Sequence, residues 1–498
     1  VLIKGPGDTG NKSATMTEQR KKIVLVRPPF LGEHTRLMGP GLVYPIFNKP
    51  PMNLLYLATP IHQEGRHSIE VVDAAVMHFS VEQTAQVVMS KNPDIVGIMA
   101  YLPMLPEAKL LASALRSMRS DAVIIIGGPI VEFYPQEILS WDEVDLITIK
   151  EAEPIFRDLV EAIGDPEKLK DIPGIAYKLS GQTIFTSPGS FCTDLDAIPF
   201  PDRTLVPYKK YSTFMCEAPY STVLLTSRGC SFKCRFCHNA NRRRRMIYYR
   251  SVKNIVGEIE QILDLGIRKI FIYDDSFCSS RSRVLEFCDE VLARGLPKFS
   301  YSIKARVKQL DEEILRRLKE TGCTTLGFGL ESGVNRVLEL MDKQITTQDS
   351  ARALRLARQH GFITMGYFVL GFPGETLEEA LKTIDFAISQ PLDIGQFYAC
   401  TTFPGTEIYK QALEKGIFND YWSDYCRDPI EHNYFPNWND PIPKDQLEKL
   451  VKHAHNRFYT SPSKLWRYLK IFNAPYRRTR VLKVAFSFCT GGIYKYNA

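Results

Sequence analysis

The chain of 498 residues is 44% hydrophobic and 24% charged, with a formal net charge of +7. That balance excludes a disordered chain, a collagen-like repeat or a small disulfide-stapled scaffold, and leaves room for two or three globular domains. No uninterrupted apolar run reaches the roughly 18 residues a membrane span needs; of the 11 cysteines, the eight outside a short loop at Cys230–Cys237 show no regular pairing pattern and no signal peptide is visible, which points to a reducing cytoplasm.

Residues 1–20 are polar and aperiodic and read as a disordered leader, with Met16 as the natural initiator. From residue 21 to 165, short apolar runs (Lys22–Val26, Ile69–Val72, Ile95–Met99, Ala122–Ile126 and Leu146–Ile149) alternate with helix-length patterns at Asn53–Glu64, Val81–Ser90, Pro106–Ser120 and Pro154–Ile163. Strict alternation predicts a doubly wound, Rossmann-like parallel sheet that binds a ligand at the carboxyl ends of its strands. Gly127 and Gly128 directly follow the fourth run and are the best local pointer to that ligand, because a backbone without side chains can approach it closely. Glycine pairs also simply end strands. The first strand is followed by no G-x-G-x-x-G and the chain has no Walker loop, which argues against a dinucleotide or ATP.

Residues 166–215 read as a turn-rich connector with a hairpin at Ile175–Thr186. Between residues 216 and 420 the strand–helix alternation resumes six times, with strands at Val223–Thr226, Lys269–Tyr273, Lys298–Ile303, Thr325–Leu330, Thr364–Leu370 and Gln396–Cys400. Six such units predict a partial (β/α)6 barrel whose active groups lie at the strand carboxyl ends. Asp274 and Asp275, Lys304 and Arg306, Glu331, and the turn Gly371–Thr376 all fall there, although several suit helix caps equally well.

The first barrel strand runs into Arg228-Gly229-Cys230-Ser231-Phe232-Lys233-Cys234-Arg235-Phe236-Cys237. Three thiolates on one loop can hold three irons of a four-iron cluster and leave the fourth iron open for chemistry. The rival is a structural zinc site completed by His238, but the second ligand pair such a site normally has is missing nearby. Beyond the loop, Arg242–Arg245 is an unbroken basic run whose default reading is a solvated loop, and Arg250 is the better candidate for a site contact. In the extension, residues 421–498, the aromatics Tyr421, Trp422, Tyr434, Phe435 and Trp438 read either as a cover for the open side of the barrel or as plain packing. The segments Lys464–Phe472 and Arg477–Phe488 mix basic and large apolar residues at helical spacing, which suits a membrane surface or packing on the barrel.

The cysteine loop, down to the aromatic Phe236 before its last cysteine, resembles the signature of the radical S-adenosylmethionine (SAM) enzymes. The resemblance implies that Cys230, Cys234 and Cys237 hold a 4Fe-4S cluster, that its open iron chelates the amino and carboxylate groups of SAM, and that Phe236 lies by the adenine. It further implies contacts from Asp274 and Asp275 to the SAM amino group, and from Arg306 and Glu331 to its carboxylate and ribose. The first domain, through Arg27-Pro28-Pro29, Pro51–Ala58, Val71–Ala74, Ile124–Pro129 and Glu151–Pro154, resembles the cobalamin-binding domain of the cobalamin-dependent radical SAM class, with Gly127 and Gly128 lining the cleft for the nucleotide tail. The D-x-H-x-x-G motif of classical cobalamin proteins is missing. His34 lacks the Asp and the Gly and reads as a surface residue, so the cobalt would have no histidine beneath it.

This class implies reductive cleavage of SAM, removal of hydrogen from an unactivated carbon and its methylation through methylcobalamin. The expected substrate is a small hydrophobic, lipid-like or natural-product molecule, and the expected electron donor a flavodoxin or ferredoxin type protein. Anaerobic tetrapyrrole cyclases share the domain order and imply cyclisation or oxidation instead. A tRNA methylthiolation enzyme would carry cluster cysteines in its first domain, and none occurs before Cys192. The expected location is the cytoplasm, peripheral to the inner face of the membrane through the tail, with no nucleic-acid partner.

Overall fold

The computed structural model describes residues 20–30, 48–118, 121–212, 216, 218–242, 245–431, 436–438 and 440–471. His34, Arg243, Arg244, Tyr434, Phe435 and the segment Arg477–Phe488 lie outside the described residues. The chain divides into two compact units, one formed by residues 1–34, 50–207 and 420–433, the other by residues 35–49, 208–419 and 434–498.

In the first unit, β1 (Lys22–Arg27), β2 (Ser68–Asp73), β3 (Ile95–Met99), β4 (Val123–Gly127) and β5 (Leu146–Thr148) form a parallel sheet. Val, Ile and Leu dominate these strands, and all five residues of β3 are buried, as expected of a sheet covered on both faces. The hairpin β6 (Ile175–Leu179) and β7 (Gln182–Phe185) adds two antiparallel strands, so the connector extends the sheet to the order β2-β1-β3-β4-β5-β6-β7. The strand order reverses between β1 and β3, and in such sheets the ligand cleft opens at the carboxyl ends on either side of that reversal. At the ends of β1 and β2, Arg27 grips Asp73 through two hydrogen bonds of 2.6 and 2.5 Å, with both residues buried.

The helix Tyr421–Arg427 also belongs to the first unit. Tyr134 donates to Asp420 at 2.8 Å, Trp141 to the carbonyl of Cys426 at 2.9 Å, and Tyr425 to the carbonyl of Leu102 at 3.0 Å. Trp422 is fully buried. Tyr421 and Trp422 thus serve packing within this unit.

In the second unit, β8 (Thr222–Leu224) leads into a short antiparallel pair, β9 (Ser227–Arg228) with β10 (Tyr248–Tyr249). Then follow β11 (Lys269–Ile272), β12 (Ser300–Ala305), β13 (Cys323–Glu331), β14 (Ile363–Leu370) and β15 (Ile394–Ala399). The parallel order β15-β14-β13-β12-β11-β8 leaves β8 and β15 as edges among the described residues, which is an open six-stranded partial barrel. Ile270, Ile272, Tyr301, Ile303, Phe328, Phe368 and Phe397 form the outer core with the surrounding helices. Because side chains alternate across a strand, Phe271, Tyr273, Lys304, Tyr367 and Tyr398 face the lumen.

The helix Lys444–Thr460 closes over β15, with Phe458 against Gly395 and Leu447 against Gly371. It is followed by the helix Pro462–Ile471, in which Lys464 donates to the carbonyl of Leu392 at 3.3 Å and Arg467 to Asp393 at 2.5 Å. These two basic residues are therefore spent on packing. Among the described residues no helix is long and apolar enough to cross a membrane.

Candidate functional site

The cysteine loop starts where β9 ends, and Gly229 takes a φ of +107° that favours glycine at its entry. The backbone N–H of Cys237 donates to the carbonyl of Cys234 at 3.1 Å, a tight turn that brings the last two thiols to one side. Arg235 anchors the loop on both flanks: its N–H donates to the carbonyl of Met341 at 3.0 Å and its carbonyl accepts from Ile408 at 3.2 Å. Burial pushes the Cys237 thiol up to about 11 and raises Cys230 as well, and neighbouring cysteines and Asp275 raise both further. Thiolates here need a cationic metal centre as counter-charge. Among the described residues no three His, Cys, Asp or Glu side chains converge as ligands of a single ion. Cluster cysteines bind separate irons and need no such convergence. Three thiols on one anchored loop fit a 4Fe-4S cluster.

The two aspartates after β11 have different environments. Asp274 is 1% exposed and accepts from the N–H of Thr226 at 2.7 Å, from the Thr226 hydroxyl, and from the Ser227 hydroxyl at 2.7 Å. Burial raises its carboxyl, while those donors oppose the rise. Asp274 is therefore a positioning residue that ties the second barrel strand to the stretch entering the cysteine loop. Asp275 is exposed, accepts from Asn239 Nδ2 at 2.9 Å, and faces Cys230 and Cys237 closely enough to raise both thiols. It is the accessible carboxylate of the pair.

Arg306 reaches the loop from the end of β12. Its guanidinium lies 3.4 Å from the ring centroid of Phe232 and Nη1 is 3.7 Å from the Cys234 sulfur. Its other nitrogen donates to the carbonyl of Lys343. Glu331, at the end of β13, takes a φ of +63° and is 6% exposed, with Lys343 Nζ 2.6 Å from its carboxylate. A Cβ on Gly329 would lie 2.5 Å from Glu331 Oε1 and 2.8 Å from Lys343 Nζ, so that glycine makes room for the pair. Lys343 Nζ also stands 5.9 Å from the ring of Phe236, which is half-buried against the apolar cluster of Val337, Met341, Phe372, Cys400 and Ile408. The structure thus gathers Cys230, Cys234, Cys237, Phe236, Asp275, Arg306 and Glu331 around one rim. Lys343, which no motif flagged, links three of them.

Arg250 is not at this rim as a free contact. It is 6% exposed and committed to Glu258 at 2.5 Å, Asn254 at 2.7 Å and the carbonyl of Leu225 at 2.8 Å.

In the first unit, Gly127 and Gly128 sit half-exposed at the end of β4. Each also has a reason inside the chain to lack a side chain: a Cβ on Gly127 would lie 2.6 Å from Thr148 Oγ1, and one on Gly128 would lie 2.1 Å from the Ala100 carbonyl oxygen at a φ of +146°. Beside them, Tyr101 is 45% exposed just past the end of β3. A glycine loop and an exposed aromatic at the carboxyl edge, next to the strand-order reversal, fit a flat nucleotide-tailed cofactor. His67 lies at the opposite edge, before β2, accepting from the Lys21 N–H at 3.1 Å and pairing with Glu161 at 2.8 Å.

A sheet of this kind and a three-thiol barrel in one chain define a corrinoid-binding radical SAM architecture, and similarity to known proteins agrees. A model described as "B12 binding domain" matches residues 47–160 and one described as "Radical SAM superfamily" matches residues 224–387. The chain is 31% identical over 451 residues to the uncharacterized methyltransferase PH0819 of Pyrococcus horikoshii, spanning 89% of this chain and 94% of that protein. It is 24% identical to an anaerobic magnesium-protoporphyrin IX monomethyl ester cyclase of Cereibacter sphaeroides, spanning 92% of this chain and 72% of that one. Among solved structures, the cobalamin-dependent SAM radical enzyme OxsB with aqua-cobalamin bound superimposes with a TM-score of 0.69 at 18% identity, over 95% of this chain and 71% of that one, a likeness of fold.

The chain belongs to the cobalamin-dependent radical SAM enzymes. Its cofactors are a 4Fe-4S cluster, SAM and cobalamin. Like other radical SAM enzymes it acts on a small molecule and draws its electron from an external donor.

Proposed function

We propose that this enzyme is a C-methyltransferase acting on an unactivated carbon. The observation that carries the reading is similarity over 94% of the length of a protein named a methyltransferase, in a chain that keeps both the three-cysteine loop and the corrinoid-type sheet. When bound, the cluster supplies the electron that splits SAM and the corrinoid carries the methyl group. Cys230, Cys234 and Cys237 hold the cluster. Asp275 takes the SAM amino group, Arg306 and the Glu331–Lys343 pair take its carboxylate and ribose, and Phe236 lies by the adenine. Gly127 and Gly128 border the nucleotide tail of cobalamin. The buried barrel wall excludes water from a carbon radical, which protects it from side reactions.

Incubation of reduced, cofactor-loaded enzyme with SAM carrying a deuterated methyl group tests the reading. Label in the product supports methyl transfer. Deoxyadenosine without transferred label favours the second reading, cyclisation or oxidation, which the similarity to a tetrapyrrole cyclase over 92% of this chain supports.

The electron donor is of the flavodoxin or ferredoxin type, and the enzyme works in the cytoplasm. Contact with the inner membrane face falls to the basic tail beyond residue 471, since Lys464 and Arg467 are already used in packing. Vesicles of anionic lipid should retain the full chain but not a chain ending at residue 471.

A further inference from the structure

Cobalamin carries its nucleotide tail on one face of the corrin ring, the lower face. A tail that runs over Gly127 and Gly128 turns that face toward the carboxyl edge of the first sheet, and a tail laid along the sheet cannot also fold its own base back beneath the cobalt. The side chains at that edge then decide what meets the metal from below.

The turn after β3 is placed to do so. β3 pairs with β1 on one side and with β4 on the other, and Met99 is in register with Gly127. Tyr101, two residues past the end of β3, thus emerges one strand spacing, about 4.8 Å, from the glycine loop and at the strand-order reversal. Its backbone is held by its neighbours. The Ala100 N–H donates to the carbonyl of Gly127 at 2.7 Å, the Met104 N–H to the carbonyl of Tyr101 at 2.8 Å, and Tyr425 to the carbonyl of Leu102 at 3.0 Å. Gly128 packs so closely on this turn that a Cβ there would stand 2.1 Å from the Ala100 carbonyl oxygen. The glycine loop and the turn are therefore one rigid construction. It leaves the Tyr101 ring 45% exposed, and an aromatic face on a fixed backbone suits a flat ligand.

The imidazoles of this unit are placed elsewhere. Among the described residues, His62 lies in the last turn of the helix Met52–Glu64 and His67 just before β2, both toward the amino edge. His78 follows β2, the outermost strand, two strand spacings from β3. The sequence after β1 has no D-x-H-x-x-G.

We propose that Tyr101 packs its ring against the lower face of the corrin and covers the cobalt there, in place of a histidine ligand and of water. The ring does the covering and the phenol oxygen does not bind the metal. Axial donors stabilise the higher oxidation states of cobalt, so a covered lower face favours the reduced metal, which needs no ligand below; axial ligation and local polarity are the levers by which a protein sets such a potential. The proposal rests on the reading that Gly127 and Gly128 border the nucleotide tail.

Electron paramagnetic resonance of the full chain loaded with cob(II)alamin tests it. The wild-type protein should give the broad spectrum of four-coordinate cobalt, without the splitting that a coordinating nitrogen imposes. Tyr101→Phe should keep that spectrum. Tyr101→Ala admits water and should convert it to the narrower five-coordinate type, with a lower midpoint for reduction to cob(I)alamin in a redox titration. Tyr101→His should add a three-line nitrogen splitting to the cobalt lines. Because the side chain is exposed, the apoproteins should melt within about a degree or two of the wild type. If Tyr101→Ala takes up no corrinoid, Tyr101→His carries the test. Nitrogen splitting or a five-coordinate spectrum in the wild type, a changed spectrum in Tyr101→Phe, or Tyr101→Ala and Tyr101→His spectra identical to the wild type overturn the proposal. Failure of the glycine-loop reading shows differently, as full corrinoid uptake by a Gly127→Ala, Thr148→Ala double variant, measured by absorbance without regard to the spectrum of the cobalt.

Discussion

Arg306 lies between the ring of Phe232 and the sulfur of Cys234, 3.4 Å from the ring centroid and 3.7 Å from the sulfur. A fixed positive charge beside one thiolate favours the more negative, reduced state of a cluster held there, and charge and hydrogen bonds to sulfur are what tune such potentials. Arg306→Gln should therefore lower the cluster midpoint potential, by on the order of 50 mV for a charge at this range in a partly screened site. A redox titration followed by electron paramagnetic resonance measures it, with Arg306→Lys falling between the two. An unchanged potential would show that the guanidinium only packs.

Asp274 and Asp275, adjacent in the chain, should separate in their effects. Asp274→Asn turns an amide N–H₂ toward the donors of Thr226 and Ser227 and leaves them poorly paired in a buried site, at a cost of about 2–4 kcal/mol. Stability and iron content should both fall. Asp275→Asn, on an exposed residue, should leave the melting temperature within a degree or two and weaken SAM binding. Finding the reverse pattern would make Asp274 the SAM contact and remove its positioning role.

Glu375 is fully buried in the turn after β14, where it accepts from the N–H groups of Gly371 at 2.5 Å and Phe372 at 3.2 Å. Burial pushes its carboxyl up to about 7, against the pull of those two donors. The folded state then holds a proton that the unfolded state has lost between about pH 4.5 and 7. Its stabilising contribution is complete below the lower value and disappears as pH rises through the upper one, with a ceiling of about 3 kcal/mol for that interval. Glu375→Gln mimics the protonated acid and should flatten this part of the profile. Denaturant midpoints of both proteins between pH 5 and 8 measure it, and parallel profiles would assign the slope to other groups.

The parallel strands were legible because continuous Val, Ile and Leu runs bounded by Gly, Pro or Asp leave few alternatives, and the cysteine loop because its spacing has few structural uses. The hairpin Ile175–Thr186 was legible as a hairpin but not as part of the first sheet, since edge pairing is decided by which strand end is left open. Lys343 could not have been found. It acts through a long-range contact with Glu331 and sits in no local pattern. Lys304 and Tyr273 carried a weak signal in the period-two alternation of their strands. Trp422 was visible as a large aromatic that had to be buried, but composition does not say against which unit. Arg250 looked like a site residue by proximity in sequence, and its commitment to Glu258 eight residues on depends on the helix between them.

Gly127 poses a question that a pair of substitutions can settle, because two different physical causes would each select glycine there. If the cause is packing, the Cβ of Gly127→Ala meets Thr148 Oγ1 at 2.6 Å, and the crowding costs about 1–3 kcal/mol whether or not a corrinoid is present. Removing the hydroxyl in a Gly127→Ala, Thr148→Ala double variant should then restore most of the lost stability, with the excess over additivity giving the coupling between the two sites. If a cofactor tail also passes over this loop, the same double variant should fold normally and still bind cobalamin weakly. Thermal denaturation of the apoprotein and spectroscopic titration with hydroxocobalamin separate the two. Full recovery of both properties would mean that the glycine serves the sheet alone, and the cobalamin contact proposed for it would be withdrawn.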